Sequence, residues 1–337
     1  MNTEGDVASP RATVEFARTS DGWDLALHHY CGTRADLPPV ILCGGYACNR
    51  HFIDFDEDYS LARFLARRGF DAWVLELRGR GYSEPASGRR RRGWTFDDLV
   101  RYDATAAIAH VRARAGDRAP VWIGHSMGGM VMYAALGHDA TVRESIAGLV
   151  TMASPVAFPS AASSLARTIG GLLLAMPLPE YLPQQNVLSA LWLLASRSPR
   201  AAEFGMNPAN IDRRAFSAAL HRFICNVPRR KLRQFIRWSL TGTFRSGDDA
   251  IDYRANLQRI TTPVFVIAGA SDRLASPEVV GFAYDRIGST RKQYREFAAR
   301  HGDHADYGHV DLVFGRRAPE EVFPVVSSWI EREIAGR

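Results

Sequence analysis

The chain has 337 residues, 46% of them hydrophobic and 23% charged, with a formal net charge of +6. That length and balance suit a soluble globular protein with one large core and room for an inserted subdomain, and they exclude extensive disorder away from the ends. Much of the positive excess sits in the run Arg89 to Arg92, "SGRRRRGW", read as a solvated loop; basic and aromatic residues do not alternate over a longer surface, so no nucleic-acid partner is expected.

The first half alternates strand-like and helix-like pieces, the pattern of a sheet built mainly from βα units. "TVEFARTSDGWDLALHHY" predicts two strands about the turn Ser20-Asp21-Gly22, and "PPVILCGGY" a buried strand ending at Gly44 and Gly45. "SLARFLARRG" predicts a helix stopped by Gly69 and leads into the strand "FDAWVLEL". In "TFDDLVRYDATAAIAHVRARAG" Thr95 is an expected N-cap, and Leu99, Tyr102, Ala106 and His110 are expected to share one helical face. Then comes "VWIGHSMGGMVMYAAL", a strand turning sharply into a helix, followed by the strand "IAGLVTMASPV". Between Ala157 and Ala250 the strand pattern disappears and apolar helix-like pieces take over: "SSLARTIGGLLLAM", "NVLSALWLLASR", "DRRAFSAALHRFICNV" and "RRKLRQFIRWSLT". The strand "TPVFVIAGASD", the helix "PEVVGFAYDRI", the strand "KQYREFAA" and a helix near "EEVFPVVSSWIEREI" complete the chain. The expected organisation is an α/β core of residues 1–156 and 251–337 with a helical cap, 157–250, inserted into it.

Cys31, Cys43, Cys48 and Cys225 form neither a CxxC pair nor a zinc-ligand pattern, and "MNTEGDVASPRATVEF" lacks the apolar core and cleavage site of a signal peptide. A cytoplasmic location with reduced thiols is expected, with Cys43 and Cys48 as buried small hydrophobes. The most apolar run, Ile169 to Leu182, is broken by Pro177 and Pro179 and is too short for a membrane span. Asp248, Asp249 and Asp252 have no His or further carboxylate positioned beside them, so no metal site is expected; Asp97 and Asp103 are expected to make structural hydrogen bonds, and Asp311 to brace a helix.

Gly124-His125-Ser126-Met127-Gly128 fits G-x-S-x-G in strand-turn-helix context. The flanking glycines are required because a Cβ beside so sharp a turn would strike the neighbouring strand or helix. A serine hydroxyl is a weak nucleophile at neutral pH and needs a base with a carboxylate to orient it. In proteins with this motif the partners follow in the order Ser, acid, His. "PVFVIAGASDRLASP" places Asp272 just past a buried strand, and "FAARHGDHADYGHVDLVFG" offers His301, His304 and His309.

These residues give the chain a resemblance to the α/β-hydrolase superfamily over nearly its whole length, closest to acid-lipase-like proteins and fainter to polyhydroxyalkanoate synthases. It rests on "GGYACNRHFIDFDEDYSLARFLARRGFDAWVLELRGRGYSEP", "WTFDDLVRYDATAAI", "GHSMGG", "ASDRLASP" and "YGHVDLVFG". The resemblance implies an α/β-hydrolase fold, a mostly parallel central sheet flanked by helices with an inserted helical cap. It selects His309 over His304 as the base, because lipases of that group carry a similar Gly/Asn-His-x-Asp segment. Such lipases usually have His-Gly after the third strand, where this chain has Gly44-Gly45 followed by Tyr46; the oxyanion loop is therefore expected to be freer, with backbone N–H groups of Tyr46 and Met127 as donors. The synthases carry Cys as nucleophile, and an Asp there would suggest an epoxide hydrolase or dehalogenase; Ser126 argues against all three.

The expected activity is hydrolysis of a carboxylic ester of apolar acyl character through an acyl-enzyme, with Ser126, Asp272 and His309 catalytic and no cofactor or metal required. The partner is then a small-molecule ester or acyl substrate. The same residues would serve an acyltransferase or thioesterase, and a non-catalytic binding module is the third possibility. In the cap, Leu173, Trp192 and Phe216 are the expected substrate-facing residues.

Overall fold

The computed structural model describes residues 11–88, 93–158, 164–183 and 205–336. Its centre is a sheet of nine strands: β1 (Thr13–Arg18), β2 (Trp23–Tyr30), β3 (Val40–Cys43), β4 (Ala72–Leu75), β5 (Glu84–Pro85), β6 (Val121–His125), β7 (Gly148–Met152), β10 (Val264–Gly269) and β11 (Lys292–Phe297), in the order β1-β2-β4-β3-β6-β7-β10-β11 with β5 on β2. The first two strands form the expected hairpin, and β2 runs antiparallel to β4; from β4 to β11 every pairing is parallel. All residues of β3, β4, β6, β7 and β10 are buried. They read as nearly continuous apolar runs, interrupted by Thr151 in β7 and ending at His125 in β6, because helices cover both faces of a parallel sheet.

Alternation along each strand divides the core in two. Ile41, Trp73, Trp122 and Val266 pack on one face with α2 (Ala104–Arg114), α3 (Met127–His138) and α7 (Pro277–Arg286). Leu42, Val74, Ile123 and Ile267 pack on the other with α1 (Leu61–Arg67) and α8 (Ala318–Ile330). Helix α1 starts where predicted, Ser60 accepting the Arg63 N–H at 3.0 Å, and Gly69 past its end takes a φ of 92°.

One expectation about a helical face is corrected. Leu99–Asp103 forms a π turn, which inserts extra chain into the 3.6-residue repeat. The buried stripe of α2 therefore falls on Ala104, Ala107, Ile108 and Val111, while Tyr102, Ala106 and His110 are only partly buried.

Between β7 and β10 the chain is helical, as expected, in α4 (Ser164–Ala175), α5 (Arg213–Phe223) and α6 (Arg229–Thr241). It also holds a two-residue ladder that no periodicity could announce, β8 (Tyr181–Leu182) against β9 (Val227–Pro228). Trp238 of α6 is buried among Phe96, Phe235 and Phe244, and Gln234 Oε1 accepts the Phe96 N–H at 2.9 Å, so this segment is sewn to the core. All of "NVLSALWLLASR", including Trp192, and the Arg89 to Arg92 run lie outside the described residues. Among the described residues, no helix is long and apolar enough to cross a membrane.

Candidate active site

Ser126 stands between β6 and α3 with φ 51° and ψ −119°, a left-handed conformation that costs a non-glycine residue about 1–3 kcal/mol. The surroundings enforce it. Ser126 donates its N–H to Met152 O at 2.8 Å and accepts the Gly129 and Met130 N–H groups at 3.1 Å. A Cβ on Gly124 would lie 2.4 Å from the Gly129 nitrogen and one on Gly128 2.2 Å from Cys43 O, so glycine is required at both. Trp122 Nε1 donates to Gly128 O at 3.0 Å beneath the turn.

Asp272 and His309 come together from the ends of β10 and β11. Asp272 Oδ1 accepts the Leu274 and Ala275 N–H groups, each at 2.8 Å, and Oδ2 receives His309 Nδ1 at 2.8 Å. Both residues are buried. With Nδ1 committed to a carboxylate, Nε2 is the nitrogen left to exchange a proton. His304 and His301 are exposed, and His304 is tied by its backbone to Glu321.

The His309 loop is joined to the turn by a residue that sequence reasoning passed over. His125 Nε2 lies 2.9 Å from His309 O, and the two rings are 4.8 Å apart. A carbonyl oxygen only accepts, so Nε2 carries the His125 proton and Nδ1 is bare. Burial lowers the His125 pKa to about 3, which keeps the ring neutral. No sequence signal marks it beyond its place inside the motif.

Opposite lies the Gly44–Asn49 loop. A Cβ on Gly45 would sit 3.3 Å from His125 Nδ1 and 3.5 Å from Ser126 Cβ, so the backbone here runs directly against the turn. The expectation of a freer loop is not what the structure shows. Arg80 donates from Nη1 to Gly45 O at 2.8 Å and Cys48 O at 3.0 Å, and from Nη2 to Tyr46 O at 2.6 Å. Lys231 Nζ, from α6, lies 2.9 Å from Tyr46 O and 4.5 Å from the Tyr46 ring centroid. Neither side chain was legible as a site residue, because each acts on backbone far away in sequence. Met127 supplies the first N–H of α3, which by position has no acceptor within the helix.

The helical segment holds both sides of this site. Cys225 N donates to Ala47 O at 2.7 Å and Asn49 N to Phe223 O at 2.9 Å, pairing the chain after α5 with the Gly44–Asn49 loop. Asp311, fully buried, accepts from Gly308 N at 2.9 Å, Asn207 N at 3.2 Å and Asn210 Nδ2 at 2.9 Å, bracing the His309 loop from the other side.

Of the expected substrate-facing residues, Leu173 is half-buried on α4. Phe216 is 2% exposed and packs on Phe223 and Phe314, so its ring is core rather than open pocket wall. Asp103 holds Arg78 and Asp97 holds Gln234 and Tyr253, the structural uses expected of them. Asp249 pairs with Arg237, Asp252 with Arg245, and Asp248 with Ser246. Burial pushes the Cys43 and Cys48 thiols up to about 12, which leaves them protonated beside the site.

Comparison with known proteins identifies the family and fold of the chain. A family model described as alpha/beta hydrolase fold matches residues 38–308. "Triacylglycerol lipase 2" of Arabidopsis thaliana is 24% identical over 310 residues, covering 82% of this chain and 72% of that protein. "Lipase 1" of Drosophila melanogaster is 23% identical over 306 residues, covering 83% and 69%. A solved structure of a thermophilic esterase from Thermogutta terrifontis superposes with a TM-score of 0.64 at 17% identity, covering 96% of this chain and 100% of that one.

Proposed function

Taking as premise that the chain belongs to the alpha/beta hydrolase fold family, we propose that it is a serine hydrolase that cleaves carboxylic esters of apolar acyl character, with residues 157–250 as its cap. The observation that carries this reading is His309 Nδ1 on Asp272 at 2.8 Å, in a loop held at 2.9 Å by His125, which is next in sequence to a serine at φ 51°. The lipase and esterase names of its relatives point the same way.

Ser126 Oγ attacks the ester carbonyl as His309 Nε2 takes its proton, and Asp272 keeps the imidazole in the tautomer that presents Nε2 and stabilises the imidazolium. The N–H groups of Tyr46 and Met127 receive the oxyanion. Collapse expels the alcohol with the proton from His309, leaving an acyl group on Ser126. Water, deprotonated by the same nitrogen, then releases the acid. One oxyanion donor is worth about 10²–10³ in kcat. Four unpaired cysteines fit a reducing compartment such as the cytoplasm.

The test is hydrolysis of p-nitrophenyl esters from acetate to octanoate, with acid and alcohol products quantified with and without added acceptor alcohols or thiols. Release of free acid, lost in Ser126→Ala, supports hydrolysis. Acyl transfer to the acceptor in preference to water contradicts it.

A further inference from the structure

The two backbone donors assigned to the oxyanion hole are anchored differently. In a trans peptide unit the N–H and C=O point in opposite directions within one plane, so whatever grips the carbonyl orients the N–H. For Met127 the carbonyl of the same unit is Ser126 O, which accepts two N–H groups of α3. For Tyr46 it is Gly45 O, in a loop beyond the end of β3 with two consecutive glycines and the backbone freedom they bring. The group that grips Gly45 O is the Arg80 guanidinium, at 2.8 Å, and the same side chain reaches Tyr46 O and Cys48 O.

Arg80 is 4% exposed and forms no ion pair among the described residues, whereas its neighbour Arg78 is paired with both Asp103 and Asp21. A buried cation without a counter-ion is costly, and three carbonyl oxygens are its compensation. The turn that projects it is rigid. Gly79 has φ 71° with the Trp94 ring where a Cβ would stand, Gly81 has φ 49° against the Glu76 carboxylate, and Ser83 N donates to Arg80 O at 2.8 Å. Arg78, bonded to Asp103 and Asp21, fixes the turn's start.

We propose that Arg80 is the positioning residue of the oxyanion hole: its guanidinium fixes and polarises the peptide that presents the Tyr46 N–H, and Lys231, reaching in from the cap, braces the same loop at Tyr46 O. A hydrogen bond donated to a peptide carbonyl strengthens that unit's own N–H as a donor, so Arg80 acts most when an oxyanion is present. Its effect belongs to the transition state, and ground-state binding of the ester is left nearly untouched. The proposal rests on the serine-hydrolase reading above.

The experiment compares wild type, Arg80→Gln, Arg80→Lys and Lys231→Met in p-nitrophenyl butyrate hydrolysis and in inhibition by an alkyl boronic acid, whose tetrahedral adduct on serine carries the oxyanion. Arg80→Gln is expected to lower kcat about 10- to 100-fold with KM changed less than about threefold. The boronate inhibition constant should rise by the factor that kcat/KM loses. Arg80→Lys, which keeps one donor for Gly45 O, should recover part of both. Unchanged kcat in Arg80→Gln, or a kcat loss without a parallel change in boronate inhibition, overturns the proposal. Should Arg80→Gln not fold, Lys231→Met decides it through the same pair of readouts: a parallel, smaller loss supports the proposal and unmoved boronate inhibition overturns it. A wild-type protein with no Ser126-dependent turnover defeats the serine-hydrolase reading itself, whereas an active wild type with an indifferent Arg80 variant defeats only this inference.

Discussion

Replacing Ser126 by Ala removes the attacking atom and leaves the oxyanion hole and the binding site, so kcat should fall by several orders of magnitude while the thermal midpoint holds or rises. A lower midpoint would place the loss in the fold instead of the chemistry. His309→Ala should match that loss of kcat and His304→Ala should not, because only His309 reaches Asp272. Asp272→Asn should cost on the order of 10⁴-fold in kcat, as in the best-studied triad, by favouring the wrong tautomer; near-wild-type kcat would move the orienting acid elsewhere.

His125 gives a prediction in pH. Its folded pKa, about 3, lies below the ordinary value of 6.5, so between those limits the unfolded chain binds a proton that the folded chain does not. Stability therefore rises with pH across this window and is lost as pH falls, by about 2 kcal/mol from neutrality to pH 5. His125→Gln retains a donor for His309 O but cannot titrate. Chemical denaturation at pH 7 and pH 5 should show a smaller acid loss in the variant by about that amount, and equal losses would contradict the assignment of a neutral, buried ring.

At the scale of elements, the site is a junction of four chain segments: the turn from β6 into α3, the loop after β3, the loop after β10 and the loop after β11. Gly128→Ala would drive a methyl to 2.2 Å from Cys43 O, backbone that cannot yield, and should prevent accumulation of folded protein. Soluble, active Gly128→Ala would refute that packing. The motif and the strand ends were legible in the sequence because each is a local pattern tied to an element boundary, whereas the order Ser, acid, His and the choice of His309 came from the resemblance to the α/β-hydrolase superfamily. The register of α2 was not, since the π turn at Leu99–Asp103 breaks the period from which a helical face is read. Arg80, His125 and Lys231 were illegible for another reason: each binds backbone carbonyls 32 or more positions away, the shortest span being Arg80 to Cys48, and a backbone acceptor leaves no mark on residue identity.

Across the whole molecule, the helical segment between β7 and β10 is bonded to the rest of the chain at the Gly44–Asn49 loop and at the His309 loop. Asp311 receives Asn207 and Asn210 from the segment between β7 and β10 and Gly308 from the loop after β11, so Asp311→Ala should destabilise the protein by about 3 kcal/mol and lower kcat in the fraction that remains folded. Ile169, Leu172 and Met176 stand about half exposed on and just beyond α4, at 49%, 57% and 51%. If acyl chains are bound along such apolar surface, each methylene contributes up to ~0.8 kcal/mol, and kcat/KM should climb severalfold per step until the surface is used. A flat profile from acetate to octanoate would turn the substrate assignment toward a compact polar ester.

The central claim is that catalysis proceeds through an acyl group on Ser126, and the most direct measurement is to catch it. Wild-type protein quenched in acid during turnover of a slowly deacylating p-nitrophenyl ester, then digested and analysed by mass spectrometry, should carry the acyl mass on the peptide containing Ser126, with none in Ser126→Ala. An adduct on another residue, or sustained turnover in Ser126→Ala, would contradict the account.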